Sequence, residues 1–112
     1  MALVPIYRVT VFVPAGHEEA FKRAVLAVDD LAVDSYSEAL WSMPATEQFR
    51  PGPGSDPVVG SHGVLSVVES VRIELSIPRA APRLERLLDA IHAAHPWEVP
   101  ALFVDEAWFA LR

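Results

Sequence analysis

The sequence predicts an α+β sandwich in which two helices pack on one face of an antiparallel sheet. Segments rich in β-branched and aromatic residues alternate with two segments whose apolar residues recur at helical spacing. Their order is β-α-β-β-α-β, with an extra short C-terminal strand. At 112 residues the chain is long enough for one domain, residues 1–112, and too short for two ordinary ones. This order of elements is that of the ferredoxin-like sandwich.

The first half of the chain supplies a strand, a helix and a weaker second strand. Residues 6–14 (IYRVTVFVP) are rich in β-branched residues and predict a strand, and residues 16–28 have the apolar spacing of a helix. Residues 32–41 (AVDSYSEALW) have the residue types of a second strand. Residues 42–63 contain four prolines and four glycines, so we expect an irregular loop there. A loop of that length is usually functional, interfacial or mobile.

The second half begins with the clearest strand of the chain, residues 64–78 (VLSVVESVRIELSIP). Residues 80–93 then have a helical pattern with a proline in the first turn, where its missing N–H is tolerated. The segments 99–104 and 107–111 predict the two last strands, separated by the acidic pair Asp105 and Glu106.

Composition narrows the classes of function. The formal net charge is −6 and the nine basic residues are scattered, which argues against a nucleic-acid-binding surface. Cysteine is absent, so disulfides, thiolate zinc sites and cysteine nucleophiles are excluded. No apolar run is long enough to span a membrane, and we expect a cytoplasmic protein. The hydrophobic content of 52% favours self-association.

Three blocks of sequence together resemble a known family. They are VTVFVPAGHEEAFKRAV at 9–25, FRPGPGSDPVVGSHGVLSVVESVRIEL at 49–75, and LLDAIHAAHPWEVPALFV at 87–104. They are similar to the signature blocks of the CutA-like domain inserted in YqfO-type proteins of the Nif-three-like family. The resemblance implies a stand-alone version of that domain, with the CutA/PII-like variant of the ferredoxin-like fold and, as in CutA proteins, a trimer.

The resemblance also has limits. The family's large flanking halves, which hold its dinuclear metal centre, have no counterpart in these residues, so their proposed hydrolase activity is not carried over. The glycine-rich turn after the first helix is replaced by VDDLAVDSY, and a cysteine-containing strand by SEALW. The tyrosine of the H-P-Y-E motif is Trp97, and a second acid found in many members is Val99.

Residues 92–104 (HAAHPWEVPALFV) allow two interpretations. In the first, His95 and Glu98 join His17 and an acid of the long strand, Glu69 or Glu74, to bind a small ligand or a divalent cation such as zinc. In the second, which we favour, His95 caps the second helix, Pro96 stops it, and Trp97 is mostly buried at the edge of the core.

The glycine- and proline-rich block also allows two interpretations. Gly60, Gly63 and their neighbours are able to form a backbone nest for an anion, with Arg50 supplying charge. The favoured alternative is a structural connection between strands, packed against a neighbouring subunit. On the strand that follows, Arg72 and Glu74 share one face at period two and predict an ion pair across the sheet or an interface.

Two hypotheses of function follow. The first is a regulatory module that senses a small ligand or cation at a subunit interface near His17, Glu69, His95 and Glu98. The second is a structural domain that trimerises and docks a separately encoded partner. Catalysis ranks third, because no nucleophile–base pair or intact metal set is visible.

Overall fold

The computed structural model describes residues 1–112. The elements are β1 (Ala2–Pro14), α1 (Glu18–Leu26), β2 (Trp41–Phe49), β3 (Ser66–Pro78), α2 (Ala81–Ala94) and β4 (Leu102–Leu111). A 3₁₀ turn, Ala15–His17, joins β1 to α1. The four strands form one antiparallel sheet in the order β2-β3-β1-β4. The predicted ferredoxin-like α+β fold is therefore confirmed.

The two helices cover one face of the sheet, and the core lies between them. Alternation along the two central strands sends every second side chain to this covered face. Its apolar cluster of 11 buried residues combines both central strands, both helices and one residue of the α1–β2 connection: Val9, Val11, Val13, Phe21, Val25, Leu31, Ile73, Leu75, Ile77, Leu87 and Ile91. Phe21 and Val25 come from α1, and Leu87 and Ile91 from α2, at the helical spacing that the sequence shows.

The opposite face of the sheet carries no helix. The core residues of β1 and β3 are odd-numbered, so their even-numbered residues point to the helix-free face. Trp41 and Met43 of β2 and Phe103 of β4 pair with even-numbered residues and therefore lie on that face as well. Their exposed fractions are 47%, 51% and 56%. On the same face the Nε of Arg72 is buried without a hydrogen-bond partner. The sheet thus has one closed face and one face with exposed large apolar groups.

The predicted second strand at 32–41 was wrong. The strand begins at Trp41 and occupies residues that we had assigned to the irregular loop, 42–63. Pro44 was counted as a loop signal, yet it lies within β2, an edge strand, where a proline nitrogen is tolerated if it points away from the ladder. Residues 32–40 instead form an irregular connection with a single β-bridge between Val33 and Tyr36.

The extra C-terminal strand was also wrong. Residues 102–111 form one continuous strand, and the acidic pair in its middle does not interrupt it. As the other edge strand, β4 leaves both acids exposed: Asp105 lies opposite Arg8, and Glu106 lies 3.8 Å from a guanidinium nitrogen of Arg79. Charged side chains are tolerated on an edge strand because they remain in contact with water, so they do not interrupt the strand.

A partly buried ion pair links the two helical segments. Both carboxylate oxygens of Asp29, just after α1, accept hydrogen bonds of 2.8 Å from the guanidinium of Arg83 in α2. Asp29 also accepts the N–H of Leu31, a core residue held in the left-handed region at φ 50°. Arg83 accordingly holds the pKa of Asp29 below its usual value, mainly by hydrogen bonding. Neither helix is long and apolar enough to cross a membrane.

Candidate functional site

The corner between α2 and β4 is set by a proline and a histidine. Pro96 has no N–H and disfavours helical geometry in the residue before it, so His95 is extended at φ −81° and ψ 134°. The His95 N–H still completes the last turn of α2 by donating to the carbonyl of Ile91 at 3.0 Å. The chain then turns towards β4, which returns along β1.

Both ring nitrogens of His95 are engaged within the chain. Nε2 lies 2.7 Å from the carbonyl oxygen of Phe12, and Nδ1 lies 3.1 Å from the backbone nitrogen of Trp97. Because a carbonyl only accepts and an N–H only donates, the ring is neutral with its proton on Nε2. Burial lowers the pKa of His95, and only 7% of the residue is exposed. In this arrangement the ring has no free lone pair for a metal ion.

Trp97 is partly exposed but most of the residue is out of water, in keeping with the expectation that it is mostly buried. Its ring packs edge-on against Phe49 at the end of β2, with centroids 5.3 Å apart, and against the ring of His95 at 5.7 Å. The hydrogen bond to His95 holds the Trp97 backbone, and the residue lines a surface groove. The tryptophan therefore forms a wall of that groove.

The groove lies between the end of β2, the loop after it, and the corner segment 97–101, and its volume is about 400 Å³. That volume falls in the range of small-molecule sites. Its walls are largely apolar and rich in proline and aromatic groups, among them Phe49, Pro51, Pro57, Val58, Trp97 and Val99. The arrangement suits burial of the apolar part of a ligand.

Two carboxylates are the charged groups of this groove. Glu47 accepts a hydrogen bond from the hydroxyl of Ser70, and Oε1 of Glu98 accepts the backbone N–H of Asp56 at 3.1 Å. Neither carboxylate takes part in an ion pair. None of the 13 lining residues is Lys, Arg or His. The groove is therefore apolar and negatively charged.

The four predicted ligands do not meet within one chain. No group of three or more His, Asp or Glu side chains is placed to hold a metal ion. His17 lies exposed in the 3₁₀ turn, and Glu69 is exposed on β3 opposite Thr46. Glu98 is in the groove and His95 is buried beneath Trp97. A set completed across a subunit interface stays a prediction.

Two glycines of the loop between β2 and β3 are needed for its backbone conformation. Gly60 adopts φ 92°, and a Cβ there would lie 2.5 Å from Oγ of Ser66. Gly63 adopts φ 74°; its N–H donates to Pro51 at 2.8 Å, and its carbonyl accepts from Arg50 at 2.6 Å. Arg50 and the Gly63 N–H are thus used to close the loop on itself, and an anion would have to compete with these bonds.

Arg72 and Glu74 lie on the helix-free face. Their closest charged atoms are 3.7 Å apart, and Arg8 of β1 approaches the same Glu74 oxygen at 3.6 Å. Arg72 and Glu74 therefore approach each other along one strand, and the contact across the sheet is the one between Glu74 and Arg8. An interface at this position remains a prediction.

Glu47 and Phe49 were missed as site residues because both were assigned to an irregular loop. A weak signal was present: the apolar Ala45 and Phe49 lie on one side of an extended segment and the polar Thr46 and Gln48 on the other, which is the period of a strand. The two prolines on either side of this alternation outweighed it in the sequence interpretation.

Comparison with known proteins identifies relatives in sequence and in fold. No protein-family model matches the chain. Curated relatives are proteins named GTP cyclohydrolase 1 type 2 homolog: that of Mycobacterium leprae is 40% identical over 91 residues, and that of Mycobacterium tuberculosis is 37% identical over 91 residues. Each match covers 81% of this chain, but 23% and 24% of the relative. The chain thus spans about a quarter of the length of these relatives.

Comparison with solved structures finds the same relatives and the same fold. A Bacillus cereus protein related to NIF3 superposes with a TM-score of 0.74 at 30% identity, over 96% of this chain and 28% of that one. CutA from Xylella fastidiosa superposes with a TM-score of 0.66 at 17% identity, over 95% and 86% of the two chains. Bacillus subtilis GlnK gives 0.58 at 12%, over 91% and 84%. The chain is therefore similar in sequence to one segment of NIF3-related proteins, and its fold is that of CutA and PII-like proteins.

Proposed function

We propose that this chain is an assembly module that forms a homo-oligomer through the helix-free face of its sheet. The observation that carries the proposal is the exposure of large apolar side chains on that face, represented by Trp41, Met43 and Phe103. Several exposed large apolar groups on one face of a small protein favour an interaction surface there. A second copy of the chain supplies the same kind of surface.

The polar groups of the same face support the proposal. The Nε of Arg72 is buried without a partner, and buried donors in native proteins are normally bonded. The rest of the Arg72 side chain is 41% exposed, so a neighbouring subunit would contribute acceptors to its terminal nitrogens. Arg72 and Glu74 would then lie inside an interface, as the sequence interpretation allowed.

We propose a trimer as the assembled state. The support is the resemblance to CutA proteins, whose fold this chain shares, and the match to one segment of NIF3-related proteins. In this proposal the chain corresponds to the domain inserted in those proteins and serves assembly or regulation. Their catalytic activity is not assigned to it.

Light scattering at micromolar concentration tests the assembly. The wild type should have the mass of three chains, and Phe103→Glu should lower it because a charge on the helix-free face would be buried without a partner. Val28→Glu is the matched control: Val28 is 53% exposed at the end of α1, on the other side of the molecule. A monomeric wild type, or equal loss of mass in both variants, would contradict the proposal.

A ligand-binding regulatory role is the second candidate function, and the groove beside Trp97 favours it. Its volume of about 400 Å³ and its apolar walls are those of a small-molecule site. The predicted cation site of His17, Glu69, His95 and Glu98 would need side chains from two subunits, and His95 would have to give up a backbone hydrogen bond. Calorimetric titration of the wild type and His95→Ala with zinc tests this cation site. No heat of binding with the wild type, or equal affinity in the two proteins, would contradict it.

A further inference from the structure

We propose that the groove beside Trp97 binds a small organic ammonium ion with an apolar body. The inference depends on the second candidate function, that the groove is a ligand site, and it names the chemical class of the ligand. It is argued from other residues than the assembly proposal, although Glu47 and Phe49 continue the helix-free side of β2 beyond Met43.

The walls of the groove select an apolar body. Phe49 and Trp97 meet at an interplanar angle of 60°, so their rings present faces in different directions and leave aromatic surface open to the groove. Pro51 and Pro57 of the loop and Val99 of the corner add aliphatic surface. Both rings are also able to attract a cation through their π faces.

The charges of the groove select a positive group. Glu47 and Glu98 each have one oxygen in a hydrogen bond within the chain, to Ser70 and to the N–H of Asp56 respectively. Neither has a cationic partner, and the nearby Arg50 donates instead to the carbonyl of Gly63. Neither carboxylate is therefore paired with a cation of the chain, and each has a second oxygen that is available to a ligand.

Other classes of ligand fit less well. An anion would meet two carboxylates and no lining cation. A divalent metal ion would lack a third carboxylate or histidine ligand. A neutral apolar molecule would cover carboxylates without pairing them, which costs free energy that an ammonium group offsets.

The groove is held in shape before any ligand arrives. His95 bridges the carbonyl of Phe12 in β1 and the N–H of Trp97, which ties the tryptophan to the central sheet. The Glu98 side chain fastens the corner to the loop at Asp56, across 42 residues of sequence. A prearranged site loses less conformational entropy on binding, which favours measurable affinity for a small ligand.

Two probes of matched shape test the proposal: 2-phenylethylammonium and the neutral 2-phenylethanol. Binding is followed by the amide and indole NMR shifts of Trp97, assigned with Trp97→Phe. We expect saturable binding of the ammonium ion and at least about tenfold weaker binding of the alcohol, the factor that one charge-assisted contact supplies.

The carboxylates are tested by the double variant Glu47→Gln and Glu98→Gln, which should reduce the ammonium affinity about tenfold, to that of the alcohol. The control double variant Glu19→Gln and Glu85→Gln removes the same net charge from exposed positions on the two helices, and should retain the wild-type affinity. If the groove variant does not fold, the difference in affinity between the two probes on the wild type still tests whether the groove prefers an ammonium ion.

The outcomes separate the two levels of the proposal. Equal affinity for the ammonium ion and the alcohol would overturn the ammonium assignment and leave the groove as a ligand site. Equal weakening by both double variants would also overturn it, because the net charge of the chain and not the groove would be responsible. No shift with either probe at millimolar concentration would overturn the ligand site as well.

Discussion

The two faces of the sheet are built from the same strands but differ in what covers them. On the covered face, side chains such as Val9, Ile73 and Leu75 are at most 1% exposed beneath the helices. On the helix-free face, Met43 and Phe103 remain more than half exposed. Burial of apolar area stabilises a fold in proportion to the area removed from water. The covered face therefore holds the chain together, and the helix-free face keeps apolar surface that only another molecule is able to bury.

The largest expected effect lies on the covered face. Phe21 is 2% exposed between α1 and the sheet, and its ring meets that of His95 at 6.4 Å. Phe21→Ala should reduce the free energy of unfolding by about 3–5 kcal/mol, because it removes a core aromatic and leaves a cavity. Urea denaturation measures it. A loss below about 1 kcal/mol would show that the covered face is not the core.

An intermediate effect is expected at His95, where the covered face meets the groove. His95→Gln keeps a donor for Phe12 but loses the acceptor for Trp97, so we expect a loss of about 1–3 kcal/mol at pH 7. Thermal and urea denaturation at that pH measure it. An unchanged free energy of unfolding would show that the two ring contacts do not support the corner.

The same histidine predicts a pH dependence. Burial lowers its pKa in the folded state, with His17 and His92 adding to the effect and Glu47 and the Phe12 carbonyl opposing it. Its contribution is complete above the unfolded value of about 6.5 and is lost as the pH falls from there through the lowered folded pKa. Between pH 7 and 5 the wild type should lose more stability than His95→Gln. His92→Gln, at an exposed position, should behave as the wild type; equal slopes in all three would contradict the assignment.

A smaller effect is expected at the ion pair that fastens the helices over the covered face. Asp29→Asn keeps the shape of the side chain but removes its charge opposite Arg83, so we expect a loss of about 1 kcal/mol at pH 7. The lowered pKa of Asp29 means that its contribution is present above its unfolded value and disappears as the pH falls through the folded one. Denaturation at pH 7 and at pH 2 should show the difference between wild type and variant only at pH 7.

The smallest effect is expected on the helix-free face. Phe103→Ser should change the free energy of unfolding by less than about 0.5 kcal/mol when wild type and variant are compared at dilutions at which both are monomeric. At higher concentration the wild type should gain stability and the variant should not, because assembly stabilises only the state that buries this face. A large loss in the free energy of unfolding of the monomer would mean that the helix-free face is as important to the fold as the covered face.

Much of the fold follows from local pattern. The apolar spacing of Leu84, Leu87, Leu88 and Ile91 predicts α2 to within a residue, and the β-branched run of β3 is equally clear. These segments are predictable because one face of each is buried, so their apolar residues recur with the period of the helix or strand. The stop at Pro96 follows from the chemistry of proline alone.

The edge strands and the site depended on tertiary structure. Pro44 in β2 and the pair Asp105 and Glu106 in β4 have the character of loop residues, and they are tolerated because each strand has a neighbour on one side only. The groove brings together Glu47 and Glu98, which lie about 50 positions apart in the chain. No local pattern determines such a distance, because it is set by how the loop after β2 packs against the end of α2.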